Sequence, residues 1–268
     1  MSEPRSLVQQ QFGAHAAGYV SSVVHAKGES LQRLVDLTRP EKHWRALDIA
    51  TGAGHTALTF ASQVAHVTAS DITDEMLAEA EKLAKSRGIA NVSFEKADAQ
   101  ALPFPNGSFD LVTSRIAPHH FPDIPKFVAE AYRVLKPGGV FGLVDNIAPD
   151  ENTTPGFGAE ALRAAADAYN DFEKIRDPSH GRCLTIGEWR DVMVGAGFVI
   201  EHLEKLSKSL EFAPWAERMG AGPETIARLQ AILNDSSPAL RAYLRPEQRD
   251  GALYFTLDEV ILVARRPA

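Results

Sequence analysis

Cysteine is almost absent from this chain: Cys183 is the one cysteine among 268 residues. A single thiol cannot form an intramolecular disulfide or a cysteine-based metal cluster. This excludes a disulfide-stapled secreted domain and favours a protein of a reducing compartment that binds no metal. We interpret Cys183 as an ordinary small side chain rather than a reactive one.

Basic residues and long apolar runs are also scarce. The chain has 28 Lys and Arg residues against 35 Asp and Glu residues, for a formal net charge of -7. This balance disfavours a surface built mainly to bind nucleic acid, because there is no excess of positive charge to neutralise phosphates. Residues 1–17 contain no apolar signal core, and no stretch reaches the roughly 18 apolar residues of a membrane span. We expect a cytoplasmic protein with no nucleic-acid partner and no membrane span.

The chain does contain an alternation of strand-like and helix-like stretches. Strand-like runs at 47–50, 65–70, 91–96, 109–114 and 140–144 alternate with stretches of helical spacing. Such alternation is typical of a parallel sheet with helices on its faces. The length is sufficient for one large α/β domain with a helical insertion.

A glycine-containing loop follows the first of these strands. Residues 47–57 pass from an apolar run through Gly52 and Gly54 into helix-compatible residues. Glycine lets the backbone take positive φ and lets a ligand lie directly against its amides. Two glycines alone are weak evidence, because turns use the same residues. The pattern gains weight if acidic residues end the following strands.

Two aspartates occupy such positions. Asp71 ends the second strand, and a carboxylate there can hold the vicinal hydroxyls of a ribose. Thr73 is the better N-cap of the next helix, which predicts that Asp71 is free for a ligand. Asp98 follows the third strand, where it can accept a hydrogen bond from an adenine amine. A dinucleotide fingerprint fits Gly52, Gly54 and Asp71 loosely, but it does not require Asp98.

Polar residues also follow the fourth strand. Ligands of an open parallel sheet bind outside the carboxyl ends of its strands, so Arg115, His119 and His120 are expected near the reaction site. Histidine titrates near working pH and is therefore a candidate base. The alternative is that one histidine packs in the core while the other is exposed. Arg115 would position an anionic ligand or only hold the loop.

Taken in order, these segments resemble class I S-adenosylmethionine-dependent methyltransferases. The resemblance rests on residues 48–54, Asp71, and residues 97–99, 109–112 and 135–139. Within that superfamily the chain is similar to the small-molecule branch of ubiquinone and menaquinone biosynthesis methyltransferases, a methyltransferase type 11 domain. The His-His-Phe segment of that branch matches residues 119–121. One departure is Ala50, where the family most often has glycine.

The resemblance implies a fold and a domain order. The fold is a doubly wound α/β sheet, mostly parallel and seven-stranded, with an antiparallel last strand and a helical lid inserted after strand five. An N-terminal helical cap over the cofactor site is expected at residues 1–40. The Rossmann-like core is expected at 41–148 and 198–268, with a helical substrate cover at 149–197.

The resemblance also implies S-adenosylmethionine as the cofactor and S-adenosylhomocysteine as the product. Asp71 would take the ribose hydroxyls, and Asp98 with Ala99 would take the adenine. An N-terminal aromatic, Tyr19 or Phe12, would close over the cofactor; ordinary packing is the alternative for Tyr19. The full set of expected cofactor contacts is Tyr19, Asp48, Ala50, Thr51, Gly52, Gly54, Asp71, Ile72, Met76, Asp98, Ala99 and Arg115.

Three functions stay open at this point. The first is a methyltransferase with a small, partly apolar acceptor, a quinol, phenol, acid or carbon, for which His120 and His119 are the candidate bases. The second is a nicotinamide-dependent oxidoreductase, against which Asp98 and the Lys-Pro-Gly-Gly turn argue. The third is a module that binds S-adenosylmethionine without catalysis. The expected partner is the methyl acceptor, and the expected assembly is a monomer or a homodimer.

Overall fold

The computed structural model describes residues 7–20 and 28–268, with side chains given from residue 7 to residue 13 in the first helix. Among the helices of these residues, none combines the length and the apolar character needed to cross a membrane.

Helices and strands alternate through the first half of the chain. Its elements are α1 (Leu7–Val20), α2 (Glu29–Thr38), β1 (Arg45–Ile49), α3 (His55–Ala61), β2 (His66–Asp71), α4 (Asp74–Ser86), β3 (Val92–Lys96), β4 (Phe109–Arg115), a short 3-10 helix (Pro118–His120), α5 (Ile124–Val134) and β5 (Leu135–Asn146).

Helices are more frequent in the second half. Its elements are α6 (Ala159–Arg176), α7 (Ile186–Gly195), β6 (Val199–Glu211), α8 (Phe212–Glu217), α9 (Pro223–Asp235), α10 (Pro238–Leu244), β7 (Glu247–Arg249) and β8 (Ala252–Arg265).

The strands form one mostly parallel sheet. β1 pairs in parallel with β2 and with β4, β2 pairs with β3, and β4 pairs with β5. The path through the sheet is β3-β2-β1-β4-β5-β8-β6, and the short β7 pairs antiparallel with β8 as an eighth strand. The predicted doubly wound α/β fold is therefore confirmed. Strand order reverses between β1 and β4, and such a reversal opens a crevice at the carboxyl ends of the strands.

Apolar patterning explains why these elements bury their inner faces. The apolar side chains of β1 and β4 are almost fully buried, as expected for strands covered on both sides. Helix α5 buries Ile124, Phe127, Val128, Ala131 and Val134, which recur at helical spacing. Its Phe127 ring packs edge-on against the Phe141 ring of β5, with centroids 5.9 Å apart.

Two local predictions were wrong. The small residues at 12–20, with Gly13 and Gly18, predict a loop after a short first helix, yet α1 continues to Val20. The Lys-Pro-Gly-Gly segment was expected as a turn before strand five, yet β5 begins at Leu135. Pairing explains the second difference, since Gly138 N–H donates to the Arg266 carbonyl and Arg266 N–H donates to the Gly139 carbonyl.

The chain divides into two compact units. The core unit comprises Met1–Asp145, Arg190–Glu204 and Ile261–Ala268, and the helical unit comprises Asn146–Trp189 and Lys205–Val260. The helical unit thus takes in residues beyond 149–197, the span assigned to the insertion from sequence. Its role as a substrate cover stays a prediction.

The helical unit has an aromatic core of its own. Phe172 stacks on Trp215 at 5.1 Å, and Phe255 meets the Trp215 ring edge-on at 4.7 Å. The sequence Thr185-Ile186-Gly187-Glu188 predicts a capping box at the start of α7, and the structure contains it. Glu188 N–H donates to the Thr185 hydroxyl, and Thr185 N–H donates to the Glu188 carboxylate.

Candidate active site

A cavity of about 320 Å³ lies at the carboxyl ends of the parallel strands of the core unit. The loops after β1, β2, β3 and β4 line it, together with Val8 and Phe12 of α1. This is the edge of the sheet at which the sequence predicted ligand binding. Ten of the predicted site residues line the cavity: Ala50, Thr51, Gly52, Asp71, Ile72, Met76, Asp98, Ala99, Arg115 and His120.

The loop after β1 has three residues with positive φ: Ala50 at 54°, Gly52 at 54° and Gly54 at 84°. Gly54 is the N-cap of α3 and does not line the cavity. A Cβ on Gly54 would lie 2.9 Å from the Cβ of Ala80, so this position requires glycine for space as well as for conformation. Ala50 adopts a left-handed conformation that costs a residue with a Cβ roughly 1–2 kcal/mol.

Asp48 lies beneath this loop and does not line the cavity itself. It is 1% exposed, and its two carboxylate oxygens accept hydrogen bonds from the hydroxyls of Thr51 at 2.6 Å and Thr113 at 2.7 Å. Burial raises the pKa of Asp48 to about 6, while the two hydroxyls and the charge of Arg115 act in the opposite direction. Asp48 thus braces the loop against β4.

Asp71 ends β2 and faces the cavity, as predicted. It was expected to be free for a ligand, but both of its oxygens accept backbone hydrogen bonds, from Gly52 N–H at 2.9 Å and Thr73 N–H at 2.9 Å. The expected side-chain cap from Thr73 is absent, so Asp71 rather than Thr73 binds the backbone here. Each carboxylate oxygen can accept more than one hydrogen bond, so Asp71 keeps capacity for a ligand. Burial raises its pKa, and the backbone donors oppose that shift.

The loop after β3 presents a second carboxylate. Asp98 is exposed, and its Oδ1 accepts a hydrogen bond from Gln100 N–H at 2.8 Å. Ala97 N–H donates to the Asp71 carbonyl at 3.0 Å, which fixes this loop beside the end of β2. Asp71 and Asp98 therefore line one cavity from adjacent strands.

Helix α1 contributes to the same edge. The Gln9 side-chain amide donates to the Ile72 carbonyl at 3.1 Å, and Val8 and Phe12 line the cavity. Val8 and Phe12 are four residues apart and so share a helix face, a spacing that could have identified Val8 from sequence. The side chain of Tyr19, the other predicted aromatic contact, lies outside the described residues.

Arg115 ends β4 and is almost fully buried. Its Nε donates to the hydroxyl of Thr56 in α3 at 3.0 Å, so it joins the fourth strand to the helix behind the glycine loop. Sequence reasoning did not identify Thr56, which also lines the cavity, whereas Ile116 belongs to the loop after β4 that was expected there. Ile116 has φ of 54°, a backbone feature that no pattern in the sequence indicates.

The two histidines of the 3-10 helix have different environments. His120 lines the cavity, and its ring meets the Phe12 ring edge-on, with centroids 4.9 Å apart. His119 is not among the lining residues, and its Nδ1 lies 2.6 Å from Oδ1 of the fully buried Asp145. The two imidazole rings touch, with centroids 4.3 Å apart.

Comparison with known proteins places the chain among methyltransferases. A family model described as a methyltransferase domain matches residues 46–139. The chain is 34% identical over 230 residues to the uncharacterized methyltransferase YcgJ of Bacillus subtilis, covering 86% of this chain and 87% of that protein. It is 30% identical over 231 residues to the ubiquinone/menaquinone biosynthesis C-methyltransferase UbiE of Brucella anthropi, covering 82% and 81%.

A solved structure agrees with these relationships. The crystal structure of the YcgJ protein from Bacillus subtilis superposes with a TM-score of 0.81 and 31% sequence identity, covering 89% of this chain and 98% of that one. Sequence and fold therefore both relate the chain to the YcgJ protein.

Proposed function

Because the chain belongs to the class I S-adenosylmethionine-dependent methyltransferases, we propose that it methylates a small, partly apolar acceptor bound beside His120. The observation behind this proposal is the cavity at the strand ends. The carboxylates of Asp71, at the end of β2, and of Asp98 line it together with the rings of Phe12 and His120.

The residues of the cavity fit the proposed cofactor. The turn at Gly52 leaves room, since a Cβ built there would have no protein atom within 4 Å. Asp71 retains acceptor capacity for ribose hydroxyls, and the exposed carboxylate of Asp98 suits an adenine amine. We assign the methionine part of S-adenosylmethionine to the loop of Thr51 and Gly52, on the cavity side.

The acceptor side of the cavity is mostly apolar. Ile116, Ala117, Phe121 and Pro122 line it near the imidazole of His120, and His55 contributes a second imidazole to the cavity. Such a wall favours an aromatic or aliphatic acceptor that has one ionisable group. The name of the UbiE relative concerns ubiquinone and menaquinone biosynthesis, which makes reduced quinones the first acceptors to test.

When bound, S-adenosylmethionine would supply a methyl group made electrophilic by its sulfonium, with the carbon–sulfur bond breaking as the acceptor–carbon bond forms. The protein aligns the acceptor and keeps water out, which the apolar residues around Phe12 and Phe121 support. His120 takes the proton from the acceptor hydroxyl or acidic carbon. Ionisation at that atom raises its nucleophilicity at the moment of transfer.

The test is methyl transfer from labelled S-adenosylmethionine to reduced quinones, phenols and small acids. We expect transfer to at least one of these by the wild type, and a roughly hundredfold or greater loss of kcat in His120→Gln. The matched control is His43→Gln, a substitution of an exposed histidine outside the cavity. Equal turnover in His120→Gln would remove His120 as the base. S-adenosylhomocysteine binding without transfer to any acceptor would favour a non-catalytic binding module.

A further inference from the structure

A buried pair of side chains lies directly behind the proposed base. Asp145 is 0% exposed near the end of β5, and His119 is 7% exposed on the 3-10 helix that follows β4. Their Oδ1 and Nδ1 atoms are 2.6 Å apart. A buried carboxylate is costly unless hydrogen bonds compensate for its lost hydration, so each group stabilises the buried position of the other.

The hydrogen bond fixes the orientation of the His119 ring. With Asp145 ionised, its carboxylate can only accept hydrogen bonds, and Nδ1 of His119 is then the donor. The bond prevents the ring from flipping and defines which nitrogen bears the proton. Asp145 lies 26 positions further along the chain, so the ring is anchored to a different strand of the sheet.

The anchored ring in turn contacts the ring that lines the cavity. The His119 and His120 centroids are 4.3 Å apart with a 45° angle between the planes, and the Phe12 ring meets His120 at 84°. His120 N–H donates to the Ala117 carbonyl, which fixes its backbone. The His120 side chain is thus held by two ring contacts, one of which depends on Asp145.

We propose that Asp145 and His119 form a positioning pair that orients the His120 ring toward the acceptor, and that His119 does not itself receive the acceptor proton. This inference rests on the proposed function, with His120 as the base. It assigns distinct roles to two adjacent histidines. Among the described residues, His119 contacts the His120 ring, and the titratable or charged side chains that line the same cavity are His55, Asp71, Asp98 and Arg115.

The first test compares the pH dependence of kcat in three variants. His120→Gln should lose the acidic limb of the profile, because no base remains to be protonated. His119→Asn keeps an amide N–H for Asp145 but lacks the second ring, and Asp145→Asn removes the charge with little change in shape. His119→Asn and Asp145→Asn should both keep the acidic limb of the pH profile. Their kcat should be roughly tenfold below that of the wild type, with little change in KM.

The second test does not require turnover. In the S-adenosylhomocysteine complex, nitrogen-detected NMR of the imidazoles should show a slowly exchanging Nδ1–H proton for His119, which Asp145→Asn should abolish. Asp145→Asn should also shift the titration midpoint of His120 and leave that of the exposed His43 unchanged. Unaltered S-adenosylhomocysteine affinity would establish that each variant is folded.

Either test can overturn the proposal. An acidic limb that persists in His120→Gln and disappears in His119→Asn would make His119 the base. A His120 titration that is identical in the wild type and in Asp145→Asn would show that the pair does not act on His120. If no acceptor is methylated but Asp145→Asn abolishes the Nδ1–H signal of His119 and shifts the titration of His120, the proposed function fails and the pairing of Asp145 with His119 stands.

Discussion

A buried carboxyl under the glycine loop should make stability depend on pH. Burial raises the pKa of Asp48 to about 6, above its ordinary value, so the folded state favours the protonated form. The stabilisation from this proton is present at low pH and is lost as pH rises through about 6. The rise of this pKa from 3.8 to about 6 corresponds to an effect on the order of 3 kcal/mol.

Asp48→Asn should remove that component of the pH dependence. Between pH 5 and pH 7 the wild type should lose more free energy of unfolding than the variant, as measured by urea denaturation at each pH. The amide can still hydrogen-bond the hydroxyls of Thr51 and Thr113, so the comparison isolates the charge. Parallel stability profiles for the two proteins would contradict the assignment of this proton to Asp48.

Asp71 should matter for cofactor binding more than any neighbouring carboxylate. Asp71→Ala removes the carboxylate assigned to the ribose hydroxyls. Each charge-assisted hydrogen bond lost should cost about 1.5 to 3 kcal/mol of binding free energy. The substitution also frees the amides of Gly52 and Thr73. We expect S-adenosylhomocysteine affinity to fall at least tenfold by calorimetry.

The matched control for Asp71→Ala is Asp74→Ala. Asp74 is an exposed aspartate three positions further on, paired with Lys96 at the surface. Its removal should leave affinity within about twofold, because exposed ion pairs contribute little. Equal losses in the two variants would mean that Asp71 has no direct part in binding.

At the scale of the elements, the approach of α3 to α4 depends on a glycine. Gly54→Ala would place a methyl group 2.9 Å from the Ala80 Cβ at a φ of 84°. The conformational cost is roughly 1–2 kcal/mol, and overpacking adds roughly 1–3 kcal/mol. We expect a loss of free energy of unfolding of about 2 to 5 kcal/mol in urea denaturation.

Gly88→Ala is the control for this substitution. Gly88 also has positive φ, at 65°, but a Cβ there would meet no atom within 4 Å. It should show the conformational cost alone. A loss equal to that of Gly54→Ala would show that the contact with Ala80 contributes nothing.

Sequence reasoning identified the elements whose signal is local. β1, β2 and β4 are apolar runs followed by polar residues, and their pairing follows from general rules for parallel sheets. The predictions for α1 and for the start of β5 were wrong because distant partners decided them. Gly13 and Gly18 disfavour helix locally, but Gln9 and Phe12 of the same helix make contacts with the cavity edge.

The candidate site shows the same limit. The cavity position of Asp71, Asp98 and His120 was predictable, because each follows a strand and the carboxyl ends of strands meet at one edge. Nothing in the sequence distinguishes His119 from His120. Their different environments arise from the 3-10 helix and from Asp145 on another strand.

At the scale of the whole molecule, the helical unit contains a buried charge that the sequence motifs of the family do not predict. Fully buried Asp258 accepts hydrogen bonds from the hydroxyl of Ser207 at 2.6 Å and from Lys205 and Arg245. Such pairing makes a buried charge tolerable, but it identifies no acceptor. Reduced quinones are the first class of acceptor to test.

Every function proposed for this chain requires that the cavity of the core unit binds S-adenosylmethionine. The most direct measurement is a calorimetric titration of the full chain with S-adenosylhomocysteine, with NADH titrated in parallel. We expect saturable binding of one S-adenosylhomocysteine per chain and no binding of NADH. Saturable binding of NADH without binding of S-adenosylhomocysteine would contradict this expectation.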